Sequence, residues 1–183
     1  MERKEVEIYL QELGDELELK GSQTPVRVMI VGGVAMLFLA FNRESTEDVD
    51  VILMDIEGDT STNPTAETKL FKSAVNAVAK RYQMKRTWIN DDVAYFIRDM
   101  APNPEAKLWR EFKKLHVYLP SKEYILALKL MVYRQKDMSD IDALMSQLNV
   151  TTREQAQAIV DHFIPDDAWK EQYQLEDTLD ELF

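Results

Sequence analysis

The sequence predicts an α/β (α+β) fold, a mixed sheet flanked by helices and followed by a C-terminal helical tail. Three observations carry this expectation. Two short β-branched runs, residues 26–31 and 48–54, stand on either side of a brief apolar stretch of helical character. Apolar residues at helical spacing open the chain and return from residue 121 onward. The chain has 183 residues, 45% of them apolar, which suffices for one well-cored domain or for a core with a small helical appendage. The division expected is a core with an N-terminal helix over residues 1–120 and a helical region over 121–183, packed together as one structural unit.

Taken in order, Val6, Leu10, Leu13 and Leu17 recur at helical spacing among acids, so an amphipathic helix covers residues 2–20 and Gly21-Ser22 ends it. Residues 26–31 read as a buried strand that Gly32-Gly33 stops abruptly. A short apolar helix follows over 34–41, then a polar loop over 42–47. Residues 48–54 form a second strand with Asp48 and Asp50 at its start, and 55–65 a loop. Leu70, Phe71, Ala74, Val78 and Tyr82 share one side of a helix over 66–82. Residues 88–100 fit either periodicity, and Pro102 and Pro104 mark a loop. Residues 112–119 predict a third strand, with Leu115 and Val117 on one face and His116 and Tyr118 on the other. Residues 121–149 are helical with an interruption near Lys136-Asp137. Thr151-Thr152-Arg153-Glu154 reads as a capping box for another helix, and Pro165-Asp166 opens the last one.

Composition excludes several classes of function. With no cysteine and two distant histidines, His116 and His162, the chain has no disulfide, no thiolate metal site and no cysteine nucleophile. Any metal must be held by carboxylates. No run of about 18 apolar residues occurs, and residues 1–5 lack the apolar centre of a signal peptide, so a cytoplasmic protein without a membrane partner is expected. The net charge of −11 disfavours a nucleic-acid partner, but its distribution is uneven. Residues 1–20 carry −4 and residues 161–183 carry −7, while the remainder balances 18 acids with 18 bases. The acidic ends read as solvated helical faces or as contacts for a basic partner protein.

Chemistry is concentrated in three places. Asp48 and Asp50 are two positions apart on a strand and project from the same face, where a hard divalent ion such as Mg2+ or Mn2+ would relieve their repulsion. A solvated strand end can carry the same pattern. Gly32-Gly33, between a strand and a helix, permits a tight turn and leaves backbone N–H groups uncovered for phosphate oxygens. A plain strand-to-helix turn has the same sequence. Lys129 is the one charged residue in Ile125-Leu126-Ala127-Leu128-Lys129-Leu130-Met131-Val132, and such a lysine either snorkels or faces an anionic cluster. On a continuous helix Asp140 would share its face, with Asp137 about 80° round or capping a new helix.

In this order the elements resemble the DNA polymerase beta-like nucleotidyltransferase superfamily, whose signature is a strand, Gly-Gly or Gly-Ser, a short helix, and Asp-x-Asp on the next strand. The signature stands here as Ile30-Val31-Gly32-Gly33, fourteen residues, then Asp48-Val49-Asp50-Val51. The chain looks most similar to small bacterial proteins related to abortive-infection, toxin-type nucleotidyltransferases. Those carry an arginine upstream of a Thr-x-Asp-x-Asp approach, matched by Arg43 and Thr46-Glu47-Asp48-Val49-Asp50. A later helix matches through Lys129, Arg134, Lys136-Asp137 and Asp140. The match covers roughly residues 26–148.

The resemblance implies a metal-dependent enzyme that moves an NMP from an NTP to RNA, protein or a small molecule, with a cognate antitoxin or other partner protein. Asp48 and Asp50 would hold the divalent ions, and Lys129 would act beside them in catalysis. Gly32, Gly33, Arg43, Thr46, Asp137 and Asp140 would form the nucleotide-binding set. The alternative is a catalytically inactive relative that keeps the fold as a binding partner. Many active members add a third acid on a later strand, whereas the expected strand here carries His116 and Tyr118, and Arg43 stands one residue farther from Thr46 than usual. Lys80, Arg81, Lys85 and Arg86, with Arg110, Lys113 and Lys114, border a possible RNA groove or are solvated helix ends. Trp88, Tyr95 and Trp109 are candidates to stack on a base, or are core residues.

Overall fold

The computed structural model describes residues 1–55 and 64–183. Most of the loop expected over residues 55–65 lies outside the described residues. The chain builds a five-stranded mixed sheet in the order β3-β2-β1-β5-β4. Its strands are β1 (Val26–Ile30), β2 (Val49–Leu53), β3 (Ile89–Asn90), β4 (Lys107–Phe112) and β5 (Leu115–Leu119). Central β1 pairs antiparallel with β2 and parallel with β5, while β3 joins β2 in parallel. The fold class is therefore the mixed α/β arrangement that the sequence predicts.

Helix α1 (Arg3–Leu19) lays Val6, Leu10, Leu13 and Leu17, all fully buried, onto the core. Its acids do not form a free face. Glu7 pairs with Arg110, and Asp15 and Glu18 pair with Lys113. Arg81, at the end of α3 (Ala66–Arg81), reaches both Glu12 and Glu16. The N-terminal acidity and part of the central basicity thus neutralise one another across the fold, although each exposed pair contributes little stability.

Helix α2 (Gly32–Leu39) begins at the first glycine, two residues before the position its sequence suggests. The segment that fits either periodicity resolves into β3 and the short helix α4 (Ala94–Met100). The single strand expected over 112–119 is instead a hairpin of β4 and β5, turned at Lys113 with φ 48°. Its turn carries Lys-Lys in place of Gly or Asn, so the usual sequence signal is missing.

The long helical stretch after residue 121 breaks into α5 (Lys122–Val132) and α6 (Met138–Leu148), with a 3-10 turn at Gln135–Asp137 between them. Tyr133, at φ 42°, makes the break. The capping box of α7 (Arg153–Phe163) sits one residue later than expected: the Thr152 hydroxyl accepts from the Gln155 N–H and the Gln155 side chain answers from the Thr152 N–H. The last helix is two, α8 (Asp167–Gln172) and α9 (Leu175–Leu182), parted by Gln174 at φ 54°. Among the described residues, no helix is long and apolar enough to cross a membrane.

Candidate active site

The turn from β1 into α2 is fixed against β2. The Val31 N–H donates to the Asp50 carbonyl at 2.9 Å, and Gly32 follows in the left-handed region at φ 64°. A Cβ on Gly32 would collide with Asp50 Oδ2, so only glycine lets that carboxylate lie against the turn. A Cβ on Gly33 would stand 2.8 Å from Arg43 Nη1, which places the guanidinium across the start of α2. The two glycines therefore serve different neighbours, one an acid and the other a base.

On β2, Val49 and Val51 are fully buried and alternate with half-buried Asp50. Asp48 precedes the strand and is exposed, and Thr46 steadies the approach by donating its hydroxyl to the Asp48 carbonyl at 2.9 Å. Burial pushes the Asp50 carboxyl above its usual range, and the negative charge of Asp48 adds to the shift. A hydrogen bond from Asn90 and the charge of Arg134 act in the opposite direction without prevailing. Both side chains offer the oxygen donors that a hard divalent cation takes. Among the described residues, no group of three or more metal-ligating side chains gathers in one place.

Lys129 is buried and does not snorkel. Its ammonium contacts Asp137 at 2.6 Å and Asp140 at 2.7 Å. Arg43 grips Asp140 with Nε at 2.9 Å and Nη2 at 2.6 Å, and Asn42 donates to the same carboxylate. Arg134 completes the cluster on Asp137 at 2.6 Å. Burial would raise both carboxyls, but hydrogen bonds outweigh it. Those from Lys129 and Arg134 hold Asp137 below the usual range, and those from Arg43, Lys129 and Asn42 do so for Asp140. Although Asp137 stands at the start of α6, its side chain makes no cap hydrogen bond. Three cations thus surround two carboxylates and tie the loop before β2 to α5 and α6.

A cavity of about 370 Å3 opens beside these groups. Its polar lining comes from Gly32, Asp50, Asp92, Lys129, Arg134 and Asp137. Phe96 and Ile97 from α4, Ile125 and Leu128 from α5, and Tyr173 after α8 add apolar and aromatic lining. The volume lies in the range of small-ligand sites. Sequence reasoning did not assign roles to Asp92, Phe96 or Tyr173, since no local pattern marks residues that meet only through the fold.

His116 stands away from Asp50. It lies on β5 opposite Arg27, at the far end of β1 from the glycine turn. The residue beside Asp50 on the neighbouring strand is Asn90. Trp88 is a core residue whose indole N–H donates to the Val75 carbonyl at 3.2 Å, and half-buried Trp109 packs on Phe38. Tyr95 is 69% exposed.

A family described as "Nucleotidyltransferase of unknown function (DUF6036)" matches residues 9–158 of the chain. That span holds Gly32 and Gly33, Asp48 and Asp50, and the whole Lys129 cluster. No curated protein and no solved structure matches the chain.

Proposed function

The chain belongs to this nucleotidyltransferase family, and from that premise we propose that it transfers an NMP from an NTP to an acceptor with the help of a divalent cation. The observation that carries the proposal is Asp50, pressed against Gly32, raised in pKa by burial and by Asp48, and facing the cavity that Lys129 and Arg134 also line. Asp48 and Asp50 would hold Mg2+ or Mn2+. The ion would lower the charge of the triphosphate and stabilise the departing pyrophosphate. Gly32 and Gly33 would present backbone N–H groups at the start of α2 to phosphate oxygens, with Arg43 lying over the same turn. Arg134, half-exposed at the cavity wall, would face the developing phosphate charge.

In the transfer, an acceptor oxygen or nitrogen bonds to the α-phosphorus while the α–β phosphoanhydride bond breaks and pyrophosphate leaves. The acceptor proton is released to solvent. The acceptor is RNA, protein or a small molecule, and a toxin-type role with a cognate antitoxin would follow from the branch the sequence resembles. Incubation of the protein with each α-labelled NTP, Mg2+, and total cellular RNA and protein tests this. Label is expected in one fraction and is expected to vanish with Asp50→Asn. Equal labelling by wild type and Asp50→Asn would sink the assignment of the acid pair. The second reading, an inactive relative that serves as a binding partner, is favoured by Asn90 standing beside Asp50, and it predicts no labelling with any NTP.

A further inference from the structure

We propose that the aromatic part of the cavity lining, Phe96 and Tyr173, is a nucleobase-stacking subsite for the NTP whose phosphates lie beside Gly32 and Asp50. This rests on the nucleotidyltransferase reading above. The cavity lining is of two kinds. Asp50, Asp92, Lys129, Arg134 and Asp137 supply charge, while Val93, Phe96, Ile97, Leu128, Val132 and the Tyr173 ring supply apolar surface. A ligand matching both has an ionic head and a flat, apolar-faced tail. A nucleoside triphosphate has that form.

Three aromatic rings cluster here. Phe96 meets Tyr173 at 5.6 Å and 65°, and Trp169 at 5.4 Å and 83°. Trp169 and Tyr173 meet at 6.2 Å and 32°, and of the three Phe96 and Tyr173 line the cavity. Both Phe96 and Tyr173 are half-buried, as groups lining an open cavity should be. Helix α8, which delivers Tyr173, is tied down by Lys170, which bridges to Asp161 of α7 at 2.6 Å and to Asp167 at 2.8 Å. Tyr173 also lies beyond residues 9–158, the segment matched by the family. The charged residues of the lining therefore fall wholly within the matched segment, whereas its aromatic part is completed by a residue outside it.

Calorimetric titration of the full chain with each NTP in Mg2+, and with inorganic tripolyphosphate in Mg2+, separates the two kinds of lining. Tyr173→Leu keeps apolar bulk but removes the ring. It is expected to weaken the best-bound NTP about fivefold or more, the loss typical of one stacked base, and to leave tripolyphosphate unchanged. Tyr173→Phe is expected to stay within about twofold of wild type for both ligands, because the ring face persists. NTP affinity unchanged in Tyr173→Leu, or an equal loss for both ligands, would overturn the stacking subsite while leaving the transferase reading intact. If wild type binds no NTP, the transferase reading falls and the subsite with it.

Discussion

Two pairs of aspartates each contribute one member to the lining of the same cavity, Asp50 from one and Asp137 from the other, and Asp50 is in the opposite electrostatic state to Asp137 and Asp140. Asp137 and Asp140 are buried, yet Lys129, Arg43 and Arg134 surround them and hold their carboxyls low. Asp50 has the Asn90 amide and the Arg134 charge for support, yet burial and the charge of Asp48 push its carboxyl up. The first pair has its cations built into the protein. The second is arranged as if its cation comes from outside. Charge state therefore separates acids compensated within the protein from Asp50, which is not, where residue type alone makes them look alike.

The largest effect that separates the pairs is expected from Asp140→Ala. It leaves Lys129 buried and Arg43 loose, and breaking such a buried pair costs about 3–5 kcal/mol, readable as a lower denaturant midpoint. Stability equal to wild type would remove the structural role assigned to the cluster. Gly32→Ala comes next. A side chain at φ 64° that also meets Asp50 Oδ2 is expected to cost about 1–3 kcal/mol in a melting experiment and to abolish nucleotide transfer. Wild-type stability and activity in that variant would mean that the turn does not need its glycine.

Acid should act through the compensated pair. Carboxyls held below their unfolded values contribute stability that is fully present above the unfolded pKa of about 3.9 and is lost as pH falls through their lower folded values. Melting temperature is expected to drop below about pH 4 in wild type, and less steeply in Asp140→Asn, where one of the two carboxyls is gone. Identical acid profiles would contradict this. Asp50 has the reverse sign. A raised folded pKa means that its ionised form opposes folding at neutral pH, so the smallest change is expected from Asp50→Asn. In the metal-free protein this variant should be as stable as wild type or more so, by about 1 kcal/mol at most. A clearly lower melting temperature would place Asp50 among the structural acids.

Much of this site is legible in the sequence, because its parts are local. Gly32-Gly33 and Asp48-x-Asp50 each follow from a strand ending or beginning at a fixed place, and the isolated charge of Lys129 in an apolar helix signals a buried partner. What the sequence does not display is how the chain breaks. Tyr133, Lys113 and Gln174 adopt the left-handed conformation without being glycine, so the turns that separate α5 from α6, β4 from β5 and α8 from α9 carry no usual mark. The break at Tyr133 ends α5, so Asp137 and Asp140 reach Lys129 from a separate turn and helix, not along one continuous face. Likewise Asn90, the cross-strand neighbour of Asp50, carries no signal in the sequence because β3 is only two residues long, too short for any periodicity to show. The neighbour of Asp50 is a product of strand pairing.

The most direct test of the contrast between the two acid pairs is a calorimetric titration of wild type and Asp50→Asn with NTP in the presence and absence of Mg2+. The account predicts Mg2+-dependent binding by wild type and its loss in Asp50→Asn, although that variant melts no lower. Equal binding by Asp50→Asn, or binding by wild type that does not depend on Mg2+, would contradict it.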